Sequence, residues 1–196
     1  MNIGEILTSF DRFDLIVVLF LFGMFVLGFA QGTIRRLLGI ASMLFSFLFA
    51  ANLRDPLGSF LAANWNQFPD EYAVLIGFGA VFAAGTIAFT LVIQGFYHRQ
   101  PLFEKATVVD EIIGGLLGIL QGVMLIGFVL IVLDSFFLNP LIVPDPDELP
   151  FLRDLHGFMT NSQTAQILRN TLIPGFYSVF GLLVPESLKA FHVATR

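Results

Sequence analysis

The sequence predicts an all-α integral membrane protein, a four-helix bundle with interfacial amphipathic helices in the second loop and the C-terminal tail. Of the 196 residues, 56% are hydrophobic and only 13% are charged, whereas a soluble domain carries about 25% charged residues. Phenylalanine alone occurs 24 times, and the mean hydropathy is +0.83. A soluble core of this size has no room for so much apolar surface, so we expect lipid to surround most of it.

Four apolar runs are long enough to cross a bilayer, which takes about 20 mainly apolar residues in a helix. The predicted spans are 15–34, 37–53, 73–93 and 112–133. Backbone N–H and C=O groups in lipid must bond within their own segment, so each run is expected to be helical. The first two spans are joined by a very short turn, which predicts an antiparallel hairpin.

The orientation in the membrane follows from the basic residues of the short loops, because Lys and Arg are retained on the cytoplasmic side. The first and third loops hold four such residues: Arg35, Arg36, Arg99 and Lys105. The N-terminal segment and the second loop offer two, Arg12 and Arg54. We therefore expect the first and third loops inside and both termini outside.

Two segments beside the spans read as amphipathic. The second loop, NLRDPLGSFLAANWNQFPDEY at 52–72, predicts a short helix at the outer interface with Trp65 and Tyr72 at headgroup level; an ordinary polar loop is the alternative. The second amphipathic segment is the tail at 151–196, in which 174–185 could re-enter the membrane. The predicted domains are a membrane domain at 1–138, a Pro/Asp linker at 139–150 and this tail.

Glycines four residues apart recur in the spans, although glycine costs a helix about 1 kcal/mol relative to alanine in water. No hydrophobic effect draws helices together in lipid, so close backbone packing has to hold them. We expect the glycines to lie where helices touch; a hinge or a dimer seam is the alternative. The predicted packing residues are Gly28, Gly32, Gly39, Gly114, Gly118 and Gly122.

Polar side chains inside the spans are pointers to function. Gln121 lies near the middle of the fourth span, and Thr86, Thr90 and Gln94 stand four apart along the third. Threonine hydroxyls commonly bond a preceding carbonyl of their own helix, which is the favoured interpretation. The alternative is a polar line that meets Gln121 at an aqueous crevice.

No catalytic residue, metal site or cofactor is predicted. The histidines at 98, 156 and 192 share no metal-ligand spacing, and the Gly-rich run lacks the GK[ST] of a phosphate loop. The net charge of −5 argues against nucleic acid. Four acidic residues at span ends are expected to be solvated end caps: Asp14, Asp110, Glu111 and Asp134.

Two stretches resemble the colicin V production protein (CvpA) family of bacterial inner-membrane proteins. They are GFAQGTIRRLLGIASML at 28–44 and DEIIGGLLGILQGVMLIG at 110–127, preceded by Asp14 at the first span. The resemblance covers about residues 10–140. It implies an inner-membrane protein that supports colicin V production or export and envelope homeostasis, and it agrees with a C-terminus outside. Together with the lack of a predicted catalytic site, the resemblance favours a non-enzymatic role.

A second hypothesis is a small channel or transporter subunit that oligomerises through the glycine stripes, motivated by Gln121 and the third-span threonines. Besides the lipid bilayer, the expected partners are further copies of this chain or other membrane proteins.

Overall fold

The computed structural model describes residues 11–64, 70–96, 107–138, 150–186 and 188. No strand occurs among these residues, and four of their helices are long and apolar enough to cross a membrane. These helices are α1 (Arg12–Gln31), α2 (Thr33–Asn64), α3 (Asp70–Phe96) and α4 (Thr107–Phe137). The all-helical class and the four candidate spans are thus confirmed. Most of the predicted linker, 139–149, lies outside the described residues.

Only Gly32 separates α1 from α2. Its φ is +78°, a left-handed conformation that glycine adopts without a steric penalty. Its N–H donates to the Gly28 carbonyl at 2.9 Å, which ends α1. The very short turn expected here is therefore a single residue.

The helix α2 is longer than the predicted second span and runs through Pro56. Residues 53–64 are its last turns rather than a separate helix. The reason is packing: a Cβ on Gly77 of α3 would lie 3.0 Å from Leu61, and Gly58 of α2 contacts Val74. The predicted interfacial anchors do not appear as expected, since Tyr72 is only 2% exposed and Trp65 lies outside the described residues.

The chain divides into two compact units, with the boundaries inside α1 and α4. The span unit is Phe20–Leu125, and the tail unit is Met1–Leu19 with Ile126–Arg196. In the span unit α2 packs on α3 through aromatic rings. Phe47 is fully buried and meets Phe78 edge-on, with ring centroids 5.6 Å apart. Such pairs add about 0.5–1.5 kcal/mol to the burial of their area.

The spans present large apolar side chains outward. In the most apolar window of α3 only 11% of the residues are buried inside the protein, and Ile87 and Leu91 of that helix are more than half exposed. A water-soluble protein rarely leaves an apolar surface of this extent uncovered. This exposure is what helices in contact with lipid require.

The tail unit holds a series of short helices. They are α5 (Pro150–Thr160), α6 (Gln163–Ile167), a π-helical turn (Leu168–Leu172), α7 (Ile173–Phe180) and a 3-10 turn (Gly181–Leu183). The helical period expected to continue from 151 to 173 is interrupted at Ser162, whose backbone is extended. The Ser162 hydroxyl caps α6 by accepting from the Ala165 N–H at 3.0 Å.

Candidate functional site

The tail unit contains an ion pair whose carboxylate is buried. Asp134, near the end of α4, is fully buried. Arg169 grips its carboxylate with two bonds, Nε to Oδ2 at 2.8 Å and Nη2 to Oδ1 at 2.6 Å. His156 Nε2 lies 3.0 Å from the same Oδ1. A bidentate guanidinium–carboxylate pair is among the strongest hydrogen-bonded arrangements in proteins, and here it joins the end of a span to the tail.

The local fold positions the two basic side chains, Arg169 and His156. Arg169 lies in the π-helical turn, where the Ile173 N–H reaches the Leu168 carbonyl five residues back. This wider turn comes directly before Pro174, which has no N–H to donate to the helix. The His156 ring stacks on Phe137, with centroids 4.9 Å apart and planes at 22°.

A second buried carboxylate joins the start of α1 to the tail. Asp14 is 1% exposed and accepts the N–H of Thr164 at 2.9 Å and its hydroxyl at 2.6 Å. It also accepts the N–H of Gln163 at 3.3 Å, so it satisfies two free N–H groups at the start of α6. The expectation of solvated end caps is therefore wrong for Asp14 and Asp134, which tertiary partners far along the chain bury. It is also wrong for Asp110, which is only 5% exposed.

Tyr177 closes the end of the tail unit by donating its hydroxyl to the Leu188 carbonyl at 3.0 Å. Burial raises the pKa of Tyr177 above the ordinary value of a tyrosine, and the negative charge of Asp134 raises it further. The hydroxyl thus remains a donor throughout the physiological pH range.

The arrangement around His156 differs from that of a hydrolytic triad. In a triad one ring nitrogen faces the acid and the other faces the nucleophile. Here Nε2 faces both Asp134 and the Thr160 hydroxyl, the latter at 3.3 Å. The described part of the chain also holds no group of three or more His, Asp or Glu side chains placed to bind a metal.

In the span unit the glycines of α1 and α4 meet backbone to backbone. A Cβ on Gly114 would lie 2.6 Å from the Gly28 carbonyl oxygen and 2.9 Å from the Gly32 Cα. A Cβ on Gly118 would overlap the Met24 carbonyl oxygen, and one on Gly122 would lie 2.9 Å from Leu21. The two helices can approach this closely only because these positions lack side chains.

The two remaining predicted glycines face polar side chains of α4. A Cβ on Gly32 would lie 2.5 Å from the Asp110 carboxylate, and one on Gly39 would lie 3.2 Å from Gln121 Nε2. The Thr33 hydroxyl donates to the Asp110 carbonyl at 2.9 Å. The start of α2 is thereby joined to the start of α4.

Gln121 is bonded to an arginine within the span unit. Arg36, which is only 6% exposed, donates Nη1 to Gln121 Oε1 at 2.7 Å. The missing side chain at Gly39, on the same helix as Arg36, leaves the space that Gln121 occupies. From the sequence, Arg36 was predicted only to set the orientation in the membrane. The pattern that indicates its buried position is an arginine about one turn before a glycine, Gly39, in an apolar helix.

A cavity of about 190 Å³ adjoins this pair. Its polar lining residues are Gln31, Arg35, Arg36, Thr90 and Gln121, and Leu27 and Ile93 supply apolar surface. The structure thus brings Thr90 and Gln121 to one cavity. The Thr86 hydroxyl is buried without a hydrogen-bond partner among the described residues, so the favoured interpretation, a bond to a preceding carbonyl of its own helix, is wrong for Thr86. The Gln94 side chain, Arg99 and Lys105 lie outside the described part.

The sequence model of one protein family, described as Colicin V production protein, matches residues 13–172. The chain belongs to the colicin V production protein family. No curated protein and no solved structure matches the chain. The family resemblance expected from 28–44 and 110–127 is confirmed. It also extends further than about residue 140, so Asp134, His156 and Arg169 of this CvpA-family protein all lie within the matched region.

Proposed function

We propose that this CvpA-family protein is a non-enzymatic, multi-pass protein of the bacterial inner membrane. It supports the production or export of colicin V and the homeostasis of the envelope, through other membrane proteins or through copies of itself. The observation that carries the proposal is the family match over residues 13–172. The four apolar helices, whose exposed side chains are largely apolar, support the membrane location.

The buried polar groups support a role without catalysis. Asp134 is occupied by Arg169 and His156, and Asp14 is occupied by the first turn of α6. Groups that act in catalysis need reach to a substrate, whereas these groups spend their hydrogen bonds on joining span ends to the tail. We infer that the tail unit serves as a platform to which partner proteins bind, because these bonds hold its helices together.

Complementation tests this proposal. In a host that carries a colicin V operon but lacks its own CvpA-family protein, we expect the wild-type chain to restore secreted colicin V and detergent resistance. Asp134→Asn is expected to restore less than about a tenth of the secretion, because loss of a buried charge pair disrupts the platform.

Asp154→Asn is the matched control, since Asp154 is exposed on α5 of the same unit. It is expected to complement fully. Membrane fractions are blotted to show that each variant is present. If the host without the wild-type chain still produces colicin V and secretes it normally, the proposal is contradicted.

For the topology we propose that both termini lie in the periplasm and that the first and third loops lie in the cytoplasm. The chain has no cysteine, so single cysteines can be introduced without background. We expect Asp154→Cys in spheroplasts to react with a membrane-impermeant maleimide. Thr107→Cys, at the start of α4, is expected to react only after permeabilisation; the reverse pattern would invert the topology.

The channel or transporter subunit is a second candidate function, favoured by one observation: Thr90 and Gln121 line the same cavity. This candidate requires solute flux across proteoliposomes that Gln121→Leu removes. The main proposal requires no such flux.

A further inference from the structure

The strongest unexplained feature of the span unit is the positive charge of Arg36. The residue is only 6% exposed, and its Nη1 donates to the neutral amide of Gln121. Its Nε has no hydrogen-bond partner among the described residues, none of which forms an ion pair with it. A buried charge is normally paired, because leaving water without a counter-charge is costly.

The cavity offers the missing counter-charge a place to bind. Arg36 lines it together with Arg35, so two guanidinium groups border one space. Both lie in the first turn of α2, which begins at Thr33, and the positive end of a helix dipole favours an anion there. Asp110 lies beside Gly32 at the same end of α2 but does not line the cavity.

Neutral donors surround the same space. Gln121 Oε1 accepts from Arg36, so its Nε2 remains available to donate. Gln31 and Thr90 also line the cavity. A cavity of about 190 Å³ exceeds the roughly 30 Å³ that one water takes up in the liquid several times over. It has room for a tetrahedral oxyanion with donors on several sides.

We propose that this cavity binds a phosphate oxyanion, with Arg36 and Arg35 as its counter-charges. Guanidinium groups match the oxygens of phosphate, which accept from two donors of one arginine. The phosphodiester of an anionic phospholipid and free inorganic phosphate share this chemistry. Leu27, which is 52% exposed, and Ile93 border the cavity with apolar surface on which an acyl chain can lie.

The test uses the purified full chain in nanodiscs of phosphatidylcholine. Phosphatidylglycerol or inorganic phosphate is added, and the unfolding temperature and the lipid retained in native mass spectra are measured. A ligand that binds only the folded state raises the unfolding temperature. We expect one retained phosphatidylglycerol. Arg36→Gln should weaken its binding about tenfold or more, the loss of one charge-assisted hydrogen bond.

Two further variants keep the test decisive. Arg35→Gln removes the other, less buried charge and is expected to weaken binding several-fold; it replaces Arg36→Gln if that variant does not fold. Arg12→Gln, an exposed arginine of the tail unit, is the control and should bind as the wild type does.

Stabilisation by phosphatidylglycerol alone identifies a lipid headgroup as the ligand, and stabilisation by inorganic phosphate identifies a free anion. The proposal is overturned if neither stabilises the wild type, or if Arg36→Gln and Arg35→Gln respond as Arg12→Gln does. Topology and complementation are measured independently, so a failure of phosphate binding would not contradict the proposed function.

Discussion

Gly118→Ala is expected to destabilise the packing of α1 against α4, although alanine is the better helix former by about 1 kcal/mol. The new methyl group would overlap the Met24 carbonyl oxygen and would lie 3.2 Å from the Gly28 Cα. Both neighbours are backbone atoms, so no rotamer change relieves the overlap. Overpacking of this kind costs about 1–3 kcal/mol, measured as the free energy of unfolding in mixed detergent–SDS micelles.

Gly79→Ala is the matched control, because a Cβ at Gly79 of α3 has no heavy atom within 4 Å. The same substitution in the same kind of helix should leave the stability unchanged or raise it slightly. Opposite signs for the two variants would separate packing from helix propensity. Equal stabilities would show that α1 and α4 do not meet through Gly118.

Asp134→Asn is expected to have the second large effect. The substitution keeps the size of the side chain but removes the charge that Arg169 grips with two bonds. Breaking a buried pair by removing one partner costs about 3–5 kcal/mol. We expect a loss near the lower end, because the Arg169 side chain is 20% exposed and keeps the Thr160 hydroxyl as a partner at 3.2 Å. We expect a lower unfolding temperature and rapid proteolysis of α5–α7, measured by limited digestion in detergent.

The double variant Asp134→Asn/Arg169→Gln distinguishes an ion pair from two independent contributions. With both charges removed, it should lose less stability than the two single variants added together. Asp154→Asn, exposed on α5, is expected to behave as the wild type does. Strict additivity of the single effects would contradict the role of the ion pair.

The sequence predicted the spans well because hydropathy is a property of neighbouring residues. Each predicted span falls within one long apolar helix, apart from the three last residues of the first, which lie beyond Gln31. The second loop was harder. Whether 53–64 continues α2 or forms its own helix depends on the contact of Gly58 and Leu61 with α3, which no local pattern encodes.

The polar groups were the least predictable part. Asp14 finds its partner 150 residues away and Asp134 finds Arg169 35 residues away. From the sequence, a carboxylate at the end of a span is interpreted as a solvated cap. No local pattern indicates that residues so far along the chain will pack on it. Arg36 similarly reads as a loop residue until Gly39 and Gln121 show where its side chain lies.

By itself, then, the sequence determined that the chain is helical, apolar enough for four spans and a member of the CvpA family, because these properties depend on composition and on short runs. Only the tertiary structure decided which charges are buried and what each one faces. That information lies in distances between segments far apart in the chain, and the low dielectric between packed helices makes those distances decisive for charge.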